Sequence, residues 1–168
     1  MRALLRNNIV AAALIISVLY SGTSFAGEKA TIDEVYAKVV EGVQVLEQLG
    51  EQGLEAFNGN EFAWKDTFLL AVDCENKRIA ATPNTPLIGA SSDAISCKKT
   101  GKKLIDPACQ DTSATGLWTE YYWPNRSKDG TIERRLSFTI PVKGTPWLVV
   151  GSVWDENTTA EELNASLK

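Results

Sequence analysis

Arg135, Ser137 and Thr139 alternate with Leu136, Phe138 and Ile140 along the run from Ile132 to Pro141. Side chains one residue apart on a strand point to opposite faces of a sheet. Ile132 shares the apolar parity, so one face of this predicted strand is greasy and the other offers a guanidinium flanked by hydroxyls. Such a cluster is a cradle for an anion. An Arg on a polar strand face has a plainer role too, solvated or paired with an acid such as Glu133 or Glu120. The neighbouring run places Trp118, Glu120 and Tyr122 on one side and Thr119, Tyr121 and Trp123 on the other. Rings with a polar tip suit a site that desolvates a small ligand and orients it by hydrogen bonds. Which set faces Arg135 depends on register, which parity alone does not supply. Tyr121 and Trp123 stand equally as pocket walls or as core, whereas Trp118 and Trp147 read as core.

Catalysis finds little support. The chain has no histidine, so acid–base work would fall to carboxylates or a lysine, and no two acids recur at a spacing that suggests a dyad. Ser91-Ser92 lacks the surroundings of a nucleophile elbow, and no Gly-rich phosphate loop is present. Binding without chemistry and without a cofactor is therefore expected. The three cysteines, Cys74, Cys97 and Cys109, lack a fourth ligand for a zinc site. In an oxidising compartment two of them would pair and one would be left over, with three pairings open. Cys97 to Cys109 closes the shorter loop, whereas Cys74 to Cys109 would tie the end of a strand to the segment that crosses back over the sheet.

The compartment is read from residues 1–26. Arg2 and Arg6 precede an apolar run from Ile9 to Tyr20, and Ser24 and Ala26 occupy the −3 and −1 positions of a cleavage site, the layout of a secretory signal peptide. Removing these 26 of 168 residues leaves 142 and, with Arg2 and Arg6 gone, moves the net charge from −4 to −6. One domain over residues 27–168 is the natural count. A mildly acidic surface with no basic cluster argues against nucleic acid and anionic membrane as partners. No second apolar segment follows, so the mature chain is expected to be periplasmic, soluble and not inserted in the membrane.

The elements that must position the site are legible in outline. Thr31 and Glu34 form a T-x-x-E capping box ahead of Ile32, Val35, Tyr36, Val39, Val43, Leu46 and Leu49, an amphipathic helix with one buried stripe. Gly50 and Gly53 leave its continuation to Phe57 open. Thr67–Asp73 and Lys77–Thr82 read as a first hairpin around Cys74, Glu75 and Asn76. The segment TPNTPLIGASSD is a surface loop, and residues 98–114 are expected to hold a short helix and loops. From Gly116 to Glu156, PNRSKDG and KGTP separate three aromatic or β-branched runs, which is an antiparallel three-stranded meander. The final run alternates so that both sheet faces are expected to be substantially buried. Thr158 or Thr159 caps a short terminal helix.

The wording of this second half, W-x-E-Y-x-W-P-N, then a basic-polar strand, then G-T-P-W and a strand closing near Trp154, resembles a single Cache domain. Such domains are extracytoplasmic sensing modules of bacterial chemoreceptors and kinases and also occur as free periplasmic proteins. The resemblance runs from about Ala30 to Asp155 and implies an α+β fold of Cache (PAS-like) architecture. In it a long N-terminal helix packs on a five-stranded antiparallel sheet, with pocket-forming loops on the other face. It implies a small-molecule ligand, often a short carboxylate, held by Arg135, Tyr121, Trp123 and Ser137 beneath the loop containing Thr82 and Asn84. Phe62 and Trp64 stand where relatives place pocket-lining aromatics. Relatives commonly read A-H-P-N and then L-I-G where this chain has Ala81, Thr82, Pro83, Asn84 and then Leu87, Ile88, Gly89, so Thr82 replaces a histidine. Relatives also imply the Cys74–Cys109 pairing. The function expected is periplasmic reception of a small organic anion, reported to a membrane sensor protein. The alternative is an accessory subunit that binds a membrane sensor or chemoreceptor and has lost the pocket, which the missing histidine favours.

Overall fold

The computed structural model describes residues 27–155 and 157–167. The signal peptide expected over residues 1–26 lies outside the described residues. Helix α1 (Ile32–Leu49) starts where the capping box places it. Thr31 Oγ1 accepts from the Glu34 N–H, and the Glu34 carboxylate accepts from the Thr31 N–H, an arrangement that stabilises a helix start by about 1 kcal/mol. Its buried stripe is Val35, Val39, Gly42, Val43 and Leu46. A 3-10 turn over Gly50–Gly53 then redirects the chain into α2 (Leu54–Asn58), which carries Phe57 into the core.

The sheet is antiparallel throughout. It contains β1 (Ala63–Trp64), β2 (Thr67–Asp73), β3 (Arg78–Ala81), β4 (Leu117–Asn125), β5 (Thr131–Pro141) and β6 (Trp147–Val153). Strand β2 pairs with β6, β6 with β5 and β5 with β4. On its other side β2 meets β1 at Thr67 and Phe68, and β3 at Ala71, Val72 and Asp73. Five strands and the meander were anticipated; β1 is a sixth, two residues long, too short to show any alternation.

Helix α1 lies across β6, β5 and β2. Its approach is close at Gly151, where an added Cβ would stand 2.8 Å from both Leu69 Cδ2 and Val39 Cγ2. Phe138 is fully buried there, its ring stacked at 5.0 Å on Tyr36 and at 4.8 Å on Trp118. The opposite face has its own smaller core, in which Ile105 and Ala108 of α3 (Ile105–Asp111) cover Val72, Ile79 and Leu148. The disulfide Cys74–Cys109 joins the end of β2 to this helix. Both faces are thus dry over much of their area. Helix α4 (Ala160–Ser166) is capped by Thr159 and packs Leu163 against the α1-side core.

Parts of both sides of the sheet are covered, at strands β4 and β3. On β4, the Asn164 side chain accepts from the Trp118 N–H and donates to its carbonyl, at 2.8 Å each. Two residues beyond Glu120, Tyr122 N–H donates to Cys97 Sγ and its carbonyl accepts from the Lys98 N–H. Pro124 has no N–H to offer. Along β3, the segment Gly89–Ser92 is bonded to Ile79 and Lys77.

Candidate ligand-binding site

The register assigns what parity left open. Tyr121 sits opposite Arg135, Thr119 opposite Ser137, and Ser152 opposite Ser137 from the other side. These residues therefore share the face turned away from α1, while Trp118, opposite Phe138, goes to the helix side. Between this polar face and the segment from Ile95 to Ala108 lies a cavity of about 80 Å³. Its floor is Thr119, Tyr121, Ser137, Thr139 and Ser152; its apolar walls are Leu70, Leu148 and Val150 from the sheet, with Ile95, Leu104, Ile105 and Ala108 above. No tryptophan lines it.

The floor is a chain of hydroxyls. Ser137 Oγ and Ser152 Oγ are 2.7 Å apart, Tyr121 OH donates to Ser152 Oγ at 3.2 Å, and Thr139 Oγ1 donates to the Leu117 carbonyl at 3.1 Å. Each hydroxyl oxygen has two acceptor sites and one rotatable proton. Tyr121 donates its proton to Ser152 and Thr139 to the Leu117 carbonyl, so the serine pair, with one proton between its oxygens, keeps one donor to turn toward a guest.

Arg135, the expected anion-binding residue, is half-buried across the strands from Tyr121 and is not among the residues that line the cavity. Its Nη2 donates to Thr67 Oγ1 at 3.2 Å and its guanidinium carbon lies 4.7 Å from the Trp154 ring centre. Its Nε is buried and has no hydrogen-bond acceptor among the described residues. Neither acid weighed as its partner takes that role. Glu120 pairs with Arg134 at 2.6 Å, and Glu133 is held by Lys128 at 2.6 Å and by Asn125 Nδ2 at 2.8 Å. Those two donors, the Lys128 ammonium first, keep the Glu133 carboxyl below its usual range. Stacking on Trp154 holds the guanidinium in place without neutralising it.

The remaining candidates are placed as follows. Trp123 lies next to the cavity, edge-on to Tyr121 with ring centres 6.2 Å apart and Lys98 Nζ 4.7 Å above it. Phe62 is fully buried in the α1-side core, its ring 4.7 Å from Phe57. Trp64 packs on that same core, with its indole N–H buried and unpartnered among the described residues. Thr82 is also fully buried; its N–H donates to Asn58 Oδ1 and its hydroxyl accepts from the Asn84 N–H. The loop of Thr82 and Asn84 was expected above Arg135. It follows β3 instead, on the far side of β2 from β6 and β5, and the segment from Ile95 to Ala108 covers the cavity. Sequence reading passed over Thr119 and Ser152, whose shared face is visible only in the register, and Ile95, whose surroundings look like plain loop.

Cys97 is the unpaired cysteine, buried beside the edge of β4. Burial pushes its thiol up, but the Thr100 hydroxyl and the N–H groups of Tyr122, Thr100 and Lys99 outweigh this and bring it down to about 7. A thiol with a folded pKa below its unfolded value of 9.0 adds stability in full above pH 9, progressively less as pH falls, and none below pH 7. Urea unfolding of wild type and Cys97→Ser should therefore diverge between pH 7 and pH 9, the wild type gaining on the order of 2 kcal/mol. A difference that stays flat over that range would contradict the donor set around the sulfur.

A helix-backed antiparallel sheet with a small cavity on its other face defines an α+β domain. In sequence the chain matches no family description and no curated protein. Solved structures do match. One is a periplasmic sensor domain of a chemotaxis protein, 18% identical with a TM-score of 0.54, covering 73% of this chain and 90% of that one. A methyl-accepting chemotaxis protein from Vibrio parahaemolyticus RIMD 2210633 matches at 14% identity and TM-score 0.56, over 73% and 86%. A third, a Cache chemosensory domain that recognises carboxylic acid, matches at 16% and 0.53, over 72% and 86%. The chain has the fold of a single Cache-like sensor domain. Among the described residues no helix is long and apolar enough to cross a membrane.

Proposed function

We propose that this protein is a periplasmic receptor module that binds a short carboxylate in the cavity on the polar face of its sheet, releases it unchanged, and reports its occupancy to a membrane sensor protein. In this reading residues 1–26 direct export, and residues 27–168 form the mature domain. The observation that carries the proposal is a small hydroxyl-floored cavity whose wall residue Tyr121 stands across the strands from a guanidinium with no acid partner among the described residues. The size of the space narrows the class. About 80 Å³ is well below the roughly 300–1,000 Å³ typical of sites for larger ligands, which suits a molecule of a few heavy atoms. An apolar tail would lie against Leu70, Leu148 and Val150, with the carboxylate on the hydroxyls of the floor and the positive charge of Arg135 beside Tyr121. The structural likeness to a domain that recognises carboxylic acid supports the same class. The competing reading, a partner-binding subunit without a pocket, would place a tryptophan in this space, and none lines it.

A ligand changes the conformational balance only by binding one arrangement better than another. The walls from Ile95 to Ala108 are the part of the cavity built on loops and a short helix, so they are the part that would respond. Thermal-shift screening of the mature protein against two- to four-carbon carboxylates, amino acids and purines tests the proposal. A ligand at a hundred times its dissociation constant adds about 2.7 kcal/mol. Arg135→Ala should abolish most of the shift for a carboxylate. Retention of the full shift would remove Arg135 from the site, and the absence of any carboxylate hit would remove the ligand class.

A further inference from the structure

On the other side of the sheet from the cavity, α1 and α4 do not close on each other. Between them lies a groove of about 690 Å³. Tyr36, Val40 and Val43 form one wall, Leu163 and Leu167 the other, and Ile140 lies among them. Tyr36 is 43% exposed although its ring stacks on Phe138, so an aromatic surface is left facing solvent. Among the described residues, the charged ones that line the groove are Asp33 and Glu47, both acidic. They stand fourteen positions apart on α1, which at 1.5 Å per residue is about 21 Å. The groove therefore presents an apolar run from Tyr36 through Val40 and Val43 to Leu163, interleaved with Gln44, Thr115 and Ser166, and a carboxylate toward each end.

We propose that this groove docks one amphipathic helix of a partner protein, apolar along one stripe and carrying a Lys or Arg at each end of a stretch of about fourteen residues. Two observations select that occupant. The spacing of the two acids along α1 matches about four turns of a helix laid beside it, and the mixed lining suits the border of an apolar stripe with a polar face. The acids at its two ends complement cations at that same spacing and repel anions. A second copy of this chain is a poor occupant, because α1 carries Asp33, Glu34, Glu41 and Glu47 against Lys38 alone, and α4 carries Glu161 and Glu162 with no base. An anionic lipid surface is disfavoured on the same grounds. The groove and the cavity lie on opposite faces of the sheet, so the inference stands independently of the ligand reading.

The test uses the mature protein and two synthetic eighteen-residue amphipathic peptides sharing one apolar stripe, one with Lys and the other with Glu at positions 2 and 16. Calorimetric titration should show the Lys peptide binding wild type and weakening about tenfold against the double variant Asp33→Lys/Glu47→Lys. The Glu peptide should show the reverse preference. Val40→Glu, a charge placed in the middle of the groove, should abolish binding of both. Failure of both peptides to bind, equal binding of both, or indifference to the charge reversal would overturn the proposal. So would sedimentation showing a dimer that Val40→Glu dissociates, since a second copy would then cover the groove. Carboxylate thermal shifts should be the same in Asp33→Lys/Glu47→Lys as in wild type, which separates this outcome from the fate of the cavity.

Discussion

Replacing Cys74 and Cys109 together by serine is expected to lower the unfolding free energy by between about 3 and 4 kcal/mol. The two residues are 35 positions apart in sequence, so breaking their bond frees a long loop in the unfolded chain, and loop-closure entropy sets the size of the effect. The consequence in the folded state is local. Helix α3 meets the sheet through Ile105 and Ala108 alone in its smaller core, a thin contact for a segment that also walls the cavity. The serine variant should therefore lose affinity for a carboxylate as well as stability. Urea unfolding of the oxidised wild type and the double variant measures the first effect, and titration below the unfolding midpoint measures the second. A loss of under about 1 kcal/mol would mean that the crossing segment is held mainly by packing.

Gly116→Ala is expected to cost about 3 kcal/mol, from two separable causes. Gly116 has φ +91°, a conformation that costs an L-residue about 1 to 2 kcal/mol. A methyl group there would also meet Phe138 Cζ at 2.5 Å and Ile140 Cγ1 at 2.9 Å, and overpacking a closed core costs about 1 to 3 kcal/mol. The Phe138 ring has no free direction, held as it is between Tyr36 and Trp118. Trimming it to leucine should relieve the clash and leave the backbone strain. In a double-mutant cycle, Gly116→Ala/Phe138→Leu should thus cost less than the sum of the single changes by about 1 kcal/mol or more. Strict additivity would show that the ring moves aside on its own.

What could be read from the chain beforehand was whatever local chemistry determines. The capping box at Thr31 and Glu34 fixed where α1 begins, and the turn residues in PNRSKDG and KGTP separated three strands that pair as a meander. The alternation of Arg135, Ser137 and Thr139 with Leu136, Phe138 and Ile140 correctly divided the faces of β5, because burial of the apolar set leaves only one arrangement. The side of the sheet taken by Tyr121 was not legible, since a one-residue slip of β4 would reverse it and no residue within β4 forbids that slip. The covering of the cavity was missed for a related reason. Residues 95–108 carry few large apolar side chains, and Ile95, Leu104 and Ile105 become a wall where the crossing segment lies on the sheet, tied there by the Cys74–Cys109 bond and by the bonds of Cys97 and Lys98 to Tyr122. The cysteine spacings left three pairings open, and the resemblance to Cache domains favoured the one that the structure has. Thr82 was placed by analogy with a histidine that this chain lacks, and it lies buried against Asn58 and Asn84.

The covered margins of β3 and β4 have a consequence for how this molecule communicates. With Asn164 and the Cys97–Lys98 turn bonded along β4 and Gly89–Ser92 bonded along β3, another protein is hindered from laying its own strand against either of those two strands. At β3 and β4 a message leaves through the covering helix and loops, and crowded copies meet little bare backbone there from which fibrils could grow.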